Sequence, residues 1–209
     1  MKTGLFGGTF DPPHNGHLVV AQDAMIALRL DRILFIPAAI PPHKVDVSIS
    51  PAARRARMLE LAIGDDQRFG VDRLELERNG PSWTVDTLRA LTAREPAVDW
   101  TLLIGADQYA EFETWREPEA VRSLARVAVL ARGGTDGRGP VEPRNAHLPA
   151  PGAVELGNGD VRVDVTRVDI SATAVRQRVA AGLPIRYLVP SAVEAFIFEH
   201  RLYAETAFR

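Results

Sequence analysis

Short apolar runs recur along the chain with room for one helix between most successive pairs: Leu5-Phe6, Ile33 to Ile36, Phe69 to Val71, Leu102 to Ile104 and Val127 to Leu130. Residues 17–30 place their apolar side chains on one helical face. Residues 52–63 (AARRARMLELAI) do the same after Ser50-Pro51, where Ser50 fits an N-cap and Pro51 the first helical position. A third helical pattern, over residues 84–94, follows the break at Asn79-Gly80-Pro81. Strands alternating with helices imply βαβ units and a parallel sheet. The expected class is therefore α/β, a Rossmann-like doubly wound parallel sheet. Val161 to Val168 (VRVDVTRV) alternates apolar with polar or charged residues and predicts a strand exposed on one face. Two helices should follow as a small C-terminal extension from about residue 170. One begins near Ser171. The other begins after Pro190, where Ser191 and Glu194 have capping-box spacing. Residues 133–152 (GGTDGRGPVEPRNAHLPAPG) read as a long Gly/Pro-rich loop.

Composition narrows the picture. The 209 residues suit a single domain over 1–209, with 46% hydrophobic residues to fill its core. Cysteine is absent, which excludes disulfides, thiolate catalysis and cysteine zinc sites. The net charge of −2 gives no overall basic surface for nucleic acid. Lys2-Thr3 runs straight into a strand, with no signal-sequence pattern, and no apolar stretch approaches the roughly 18 residues of a membrane helix. A cytoplasmic protein without a membrane partner is expected.

The densest candidate chemistry is GGTFDPPHNGHL, Gly7 to Leu18, placed between the first strand and the first helix. A glycine turn there aims backbone N–H groups and a helix N-terminus at one spot, which favours anions. His14 and His17 lie three residues apart at that helix start. The combination suggests phosphoryl or nucleotidyl transfer. Paired metal ligation and a purely structural pair are the alternatives, since residues at i and i+3 share a helix face. No third ligand has a convincing spacing; His43, His147 and His200 are scattered. Neither a Walker A loop nor a GxGxxG fingerprint is present. Ligands of open parallel sheets bind beyond the C-terminal strand ends, and both the glycine turn and Gly105 to Asp107 fall there.

HNGH within GGTFDPPHNGHL resembles the HxGH signature of the nucleotidyltransferase superfamily, and the longer stretch resembles the bacterial nicotinate-nucleotide adenylyltransferase family. PPHK (Pro41 to Lys44), SWTVDTL (Ser82 to Leu88), IGADQ (Ile104 to Gln108), ISATAVR (Ile170 to Arg176) and YLVP (Tyr187 to Pro190) continue the resemblance in order along nearly the whole chain. It implies direct adenylyl transfer from ATP to nicotinate mononucleotide, with Mg²⁺ arriving on ATP and no covalent enzyme intermediate. Nicotinamide mononucleotide and phosphopantetheine are the alternative acceptors, and a non-catalytic nucleotide sensor is the alternative class.

The resemblance assigns roles residue by residue. His14 and His17 contact the ATP phosphates, with main-chain N–H groups near Gly8, Thr9 and Phe10 completing the cradle. Ser171, Thr173 and Arg176 hold the β- and γ-phosphates; the alternative is that Ser171 only caps a helix and Arg176 pairs with a surface acid. Lys44 supplies a point charge for a phosphate. Gly105 and Asp107 lie against the nucleotide, Asp107 at a ribose hydroxyl or near the metal-bound phosphates. Trp83 and Thr84 hold the nicotinate carboxylate and Trp115 stacks on its ring; the alternative places both tryptophans in the core. Asp11 is read as a loop cap and Trp100 as packing. Where the family carries Arg-Pro-Gly after its fifth strand, this chain has Arg132-Gly133-Gly134, so adenine contacts near Arg132 are not carried over.

Overall fold

The computed structural model describes residues 1–39, 49–78, 80–132 and 152–204. His43, Lys44 and nearly all of the Gly/Pro-rich loop lie outside them. Among the described residues seven strands form one sheet: β1 (Lys2–Gly8), β2 (Arg32–Pro37), β3 (Phe69–Val71), β4 (Asp99–Gly105), β5 (Arg126–Arg132), β6 (Ala153–Glu155) and β7 (Val161–Val165). Their order is β3-β2-β1-β4-β5-β7-β6, and every pairing is parallel except β6 with β7. The helices are α1 (Asn15–Leu28), α2 (Ala52–Ile63), α3 (Thr84–Arg94), α4 (Ala106–Ala110), α5 (Pro118–Leu124), α6 (Ala172–Ala180) and α7 (Ser191–Glu199).

Helices cover both faces, so the central strands must be apolar on both sides, which is why they read as continuous runs. Ile33, Phe35 and Leu103 pack with Ala21, Ala24, Met25 and Leu59 of α1 and α2. Leu34, Ile36, Leu102 and Ile104 point the other way, toward Val85, Leu88, Leu91 and Val121 of α3 and α5. A third cluster joins Met58 of α2 to Val175, Val179, Val193 and Ile197 of α6 and α7. Through it the C-terminal helices lean on the sheet's covering layer. No helix among the described residues is long and apolar enough to cross a membrane.

The strands and the helices over 52–63 and 84–94 fall where the pattern places them; the start of α1 and the capping of α2 and α7 differ. α1 begins at Asn15, two residues before the expected start, because Leu188 C=O accepts from Asn15 N–H at 2.9 Å and supplies the partner that the first turn lacks. Pro51, not Ser50, is the N-cap of α2. Ser50 serves elsewhere: its N–H donates to Asp11 Oδ2 at 3.0 Å. Ser191 is the first residue of α7 itself, Pro190 is its cap, and no side-chain cap bond forms, so the capping box is not made. The strand expected over 161–168 stops at Val165. Strand β6, antiparallel to it, had no readable signal; its three residues are all exposed.

Candidate active site

The strand order reverses between β1 and β4, and both end at one cavity of about 450 Å³. Crevices of this size at such a reversal are where open α/β sheets bind ligands. The turn after β1 forms one wall. Phe10 has a left-handed backbone, φ 50°, and its buried ring packs edge-on to Phe6 and His17. A Cβ on Gly8 would lie 2.9 Å from that ring, so only glycine lets the strand end pass over it.

His14 is the N-cap residue of α1 and His17 sits one turn in. Their backbones and rings lock each other. His17 N–H donates to His14 C=O at 2.9 Å, and His14 N–H donates to His17 Nδ1 at 3.2 Å. An accepting Nδ1 leaves the proton of the neutral ring on Nε2. The two rings stack with centroids 3.7 Å apart. Asn15 Nδ2 donates to Tyr187 C=O at 2.7 Å, so the YLVP segment holds this helix start in place.

The start of α3 also lines the cavity. Trp83 is its N-cap residue without a side-chain cap bond, and Trp83 and Thr84 line the cavity beside Ser82. Trp115 lines the cavity too, and its ring is 5.2 Å from the buried Phe112. Both tryptophans also pack on the sheet core, as the core alternative expects. Gly105, Asp107 and Gln108 at the tip of β4 and start of α4 complete the lining. Trp100 is buried in the core.

One cavity thus gathers Gly8, Thr9, Phe10, His14, His17, Trp83, Thr84, Gly105, Asp107 and Trp115. Ser171, Thr173 and Arg176 do not line it; Ser171 and Thr173 are exposed. Ser171 caps α6, accepting from Ala174 N–H at 3.1 Å. Among the described residues Arg176 has no acid as ion-pair partner: its guanidinium donates to Asp11 C=O at 2.7 Å and to Thr173 Oγ1 at 3.2 Å. The start of α6 is thereby tied to the glycine turn. Lys44 lies outside the described residues.

Three supports were not foreseen. Arg55 is 1% exposed and donates to the carbonyls of Thr9, Ala38, Ala39 and Ser50, between 2.7 and 3.2 Å. It knots the glycine turn to the end of β2 and the start of α2. Burial pulls its pKa down, while the nearby Asp11 and Tyr203 pull it back up. The sequence carried a signal here: Arg55, Met58 and Leu59 share the i, i+3, i+4 stripe of α2, where an arginine is out of place. Asp11 also accepts from Tyr203 O–H at 2.5 Å, and burial pushes that phenol's pKa up. The expected loop-holding role of Asp11 thus has a partner, Tyr203, that the sequence did not indicate. Finally, buried Asp160 accepts from Tyr109 of α4 at 2.9 Å and from Arg122 of α5 at 3.2 Å. It fixes the helix that carries Asp107. Glu75 and Arg116 line the cavity as well, the Arg116 guanidinium 5.8 Å from the centre of the Trp83 ring.

Residues 5–178 match the model of the cytidylyltransferase-like family. A Thermus thermophilus protein named "Probable nicotinate-nucleotide adenylyltransferase" is 45% identical over 97% of this chain and 100% of its own length. A Rubrobacter xylanophilus protein of the same name is 39% identical over 100% of this chain and 95% of its own. Among solved structures, Plasmodium falciparum nicotinic acid mononucleotide adenylyltransferase complexed with NaAD superposes with a TM-score of 0.71 at 16% identity, covering 97% of each chain. At that identity it speaks for the fold.

Proposed function

This chain belongs to the cytidylyltransferase-like family, and within it to the nicotinate-nucleotide adenylyltransferases; on that premise we propose that it joins ATP and nicotinate mononucleotide into nicotinate adenine dinucleotide and pyrophosphate. The observation that carries the reading is that one cavity is lined by both the HNGH turn and the Trp83–Thr84 turn. In this reading residues 1–209 act as one cytoplasmic nucleotidyltransferase domain, completed by the helices from about residue 170.

A phosphate oxygen of nicotinate mononucleotide attacks the α-phosphorus of ATP. The new P–O bond forms as the bond to the bridging α,β-oxygen breaks, and pyrophosphate leaves with that electron pair. The protein needs no nucleophile for this; it positions both substrates and offsets growing charge. His17, with its proton on Nε2, donates to the triphosphate together with His14. Amides of the Gly8–Phe10 turn add dipoles already fixed by Arg55. Ser171, Thr173 and Arg176 stand beside this turn, where a departing pyrophosphate would reach them, and Arg176 shares its charge between that role and the tie to Asp11. Lys44 adds a further charge to a substrate phosphate. Asp107 accepts from a ribose hydroxyl. The Trp83–Thr84 turn receives the nicotinate carboxylate, with Trp115 against the ring.

A cation that keeps most of its waters and is held by substrate phosphates needs few protein ligands. Mg²⁺ brought in this way supplies charge neutralisation on the triphosphate.

The test is pyrophosphate release from ATP, Mg²⁺ and nicotinate mononucleotide by the parent chain and by His17→Ala. Turnover that falls by about 10²–10³ in the variant supports the reading. Equal turnover in both contradicts the assignment of His17, and ATP binding without any turnover points to a sensor.

A further inference from the structure

Glu75 is an acid in the wall of a cavity that, on the reading above, receives an acidic acceptor. It lies on a 3-10 turn, Leu74–Glu77, between β3 and α3, and is 8% exposed. Its carboxylate accepts from Thr87 Oγ1 at 2.6 Å and from the Ser82 hydroxyl. Thr87 is itself 1% exposed and takes a bond from Arg78, whose guanidinium is 3.9 Å from Glu75. Ser82 Oγ in turn accepts from Ala39 N–H at 3.0 Å, at the end of β2. The two hydroxyls that Glu75 holds stand on either side of Trp83–Thr84 in the chain. No other carboxylate bonds to either of them among the described residues.

We propose that Glu75 is the positioning residue of the acceptor half of the site, its carboxylate clamping Ser82 and Thr87 so that the intervening Trp83–Thr84 turn keeps one orientation toward the pyridine nucleotide. The proposal rests on the functional reading above and deepens it. Glu75 acts through its neighbours, and its own charge is taken up by two hydroxyls and Arg78. The ATP half of the cavity hangs on a different set of ties, Arg55 and the HNGH turn. Losing the clamp should therefore disturb one substrate and spare the other.

The experiment is steady-state kinetics of the full chain and of Glu75→Ala, Glu75→Gln and Thr87→Val, with both substrates varied and thermal unfolding recorded in parallel. Glu75→Ala and Thr87→Val should raise the KM for nicotinate mononucleotide about 10- to 100-fold, the range for a lost hydrogen bond to a buried charged group. The KM for ATP should stay within about twofold of the parent. Glu75→Gln keeps a carbonyl acceptor and should lie nearer the parent than Glu75→Ala. Thr87→Val changes shape least and separates the clamp from a folding defect. A parallel rise in both KM values, or a lower Tm with both KM values unchanged, overturns the proposal while leaving the proposed reaction intact. A parent chain that does not turn over nicotinate mononucleotide overturns the functional reading, and the clamp with it.

Discussion

His14 fills the space that a side chain at position 16 would need. A Cβ on Gly16 would lie 3.0 Å from His14 Nδ1, and the neighbouring ring stack leaves His14 little room to yield. On the proposed reaction, Gly16→Ala should therefore cut kcat/KM by about 10- to 100-fold, the cost of displacing His14, with little change in Tm. Unchanged kinetics in that variant would mean that the ring stack is not part of the working site. Glu75 gives a prediction in pH. Burial raises its pKa above the ordinary 4.5, against the pull of Thr87, Ser82 and Arg78. The folded state then favours the protonated acid, so this group's contribution to stability is greatest below pH 4.5 and is lost as pH rises through the raised value. Glu75→Gln cannot ionise. Its Tm relative to the parent should rise between about pH 4 and pH 8. A constant Tm difference across that range would contradict a raised pKa.

Between elements, the working parts are knotted by buried polar side chains rather than by the sheet alone. Arg55→Met would leave the carbonyls of Thr9, Ala38, Ala39 and Ser50 without their donor beside the buried Asp11. The expected loss is about 3–5 kcal/mol, or a Tm lower by about 6–20 °C by thermal denaturation. Tyr203→Phe removes one bond to Asp11 and should cost about 1–2 kcal/mol on the same measurement. These ties explain what the sequence could and could not say. Hydrophobic runs located the central strands and three helices because those elements are sorted by which face they bury. The motifs HNGH, SWTVDTL and IGADQ single out His14, His17, Trp83, Thr84, Gly105 and Asp107, residues that line one cavity. Arg55 was legible in principle, as a charge on the apolar stripe of α2. Glu75 and Asp160 were not, because each is buried by contacts with distant segments that leave no local pattern. The cap of α1 was missed for the same reason: its partner, Leu188, is far along the chain.

At the scale of the molecule, the C-terminal helices are part of the site's foundation. Leu202 and Tyr203 close the third apolar cluster and the Asp11 tether, so the turn that bears His14 is braced from the far end of the chain. A chain ending at Glu199 should unfold about 10 °C lower than the full chain, and a Tm that does not move would show the brace to be idle. The parallel sheet supplies the frame, its reversal between β1 and β4 opens the cavity, and the starts of α1 and α3 both line it. The most direct test of this account is the ratio of kcat/KM values with ATP and Mg²⁺ for three acceptors run in parallel: nicotinate mononucleotide, nicotinamide mononucleotide and phosphopantetheine. The account predicts a strong preference for the nicotinate acceptor. Turnover confined to either of the other two would contradict the assignment of the Trp83, Thr84 and Trp115 wall.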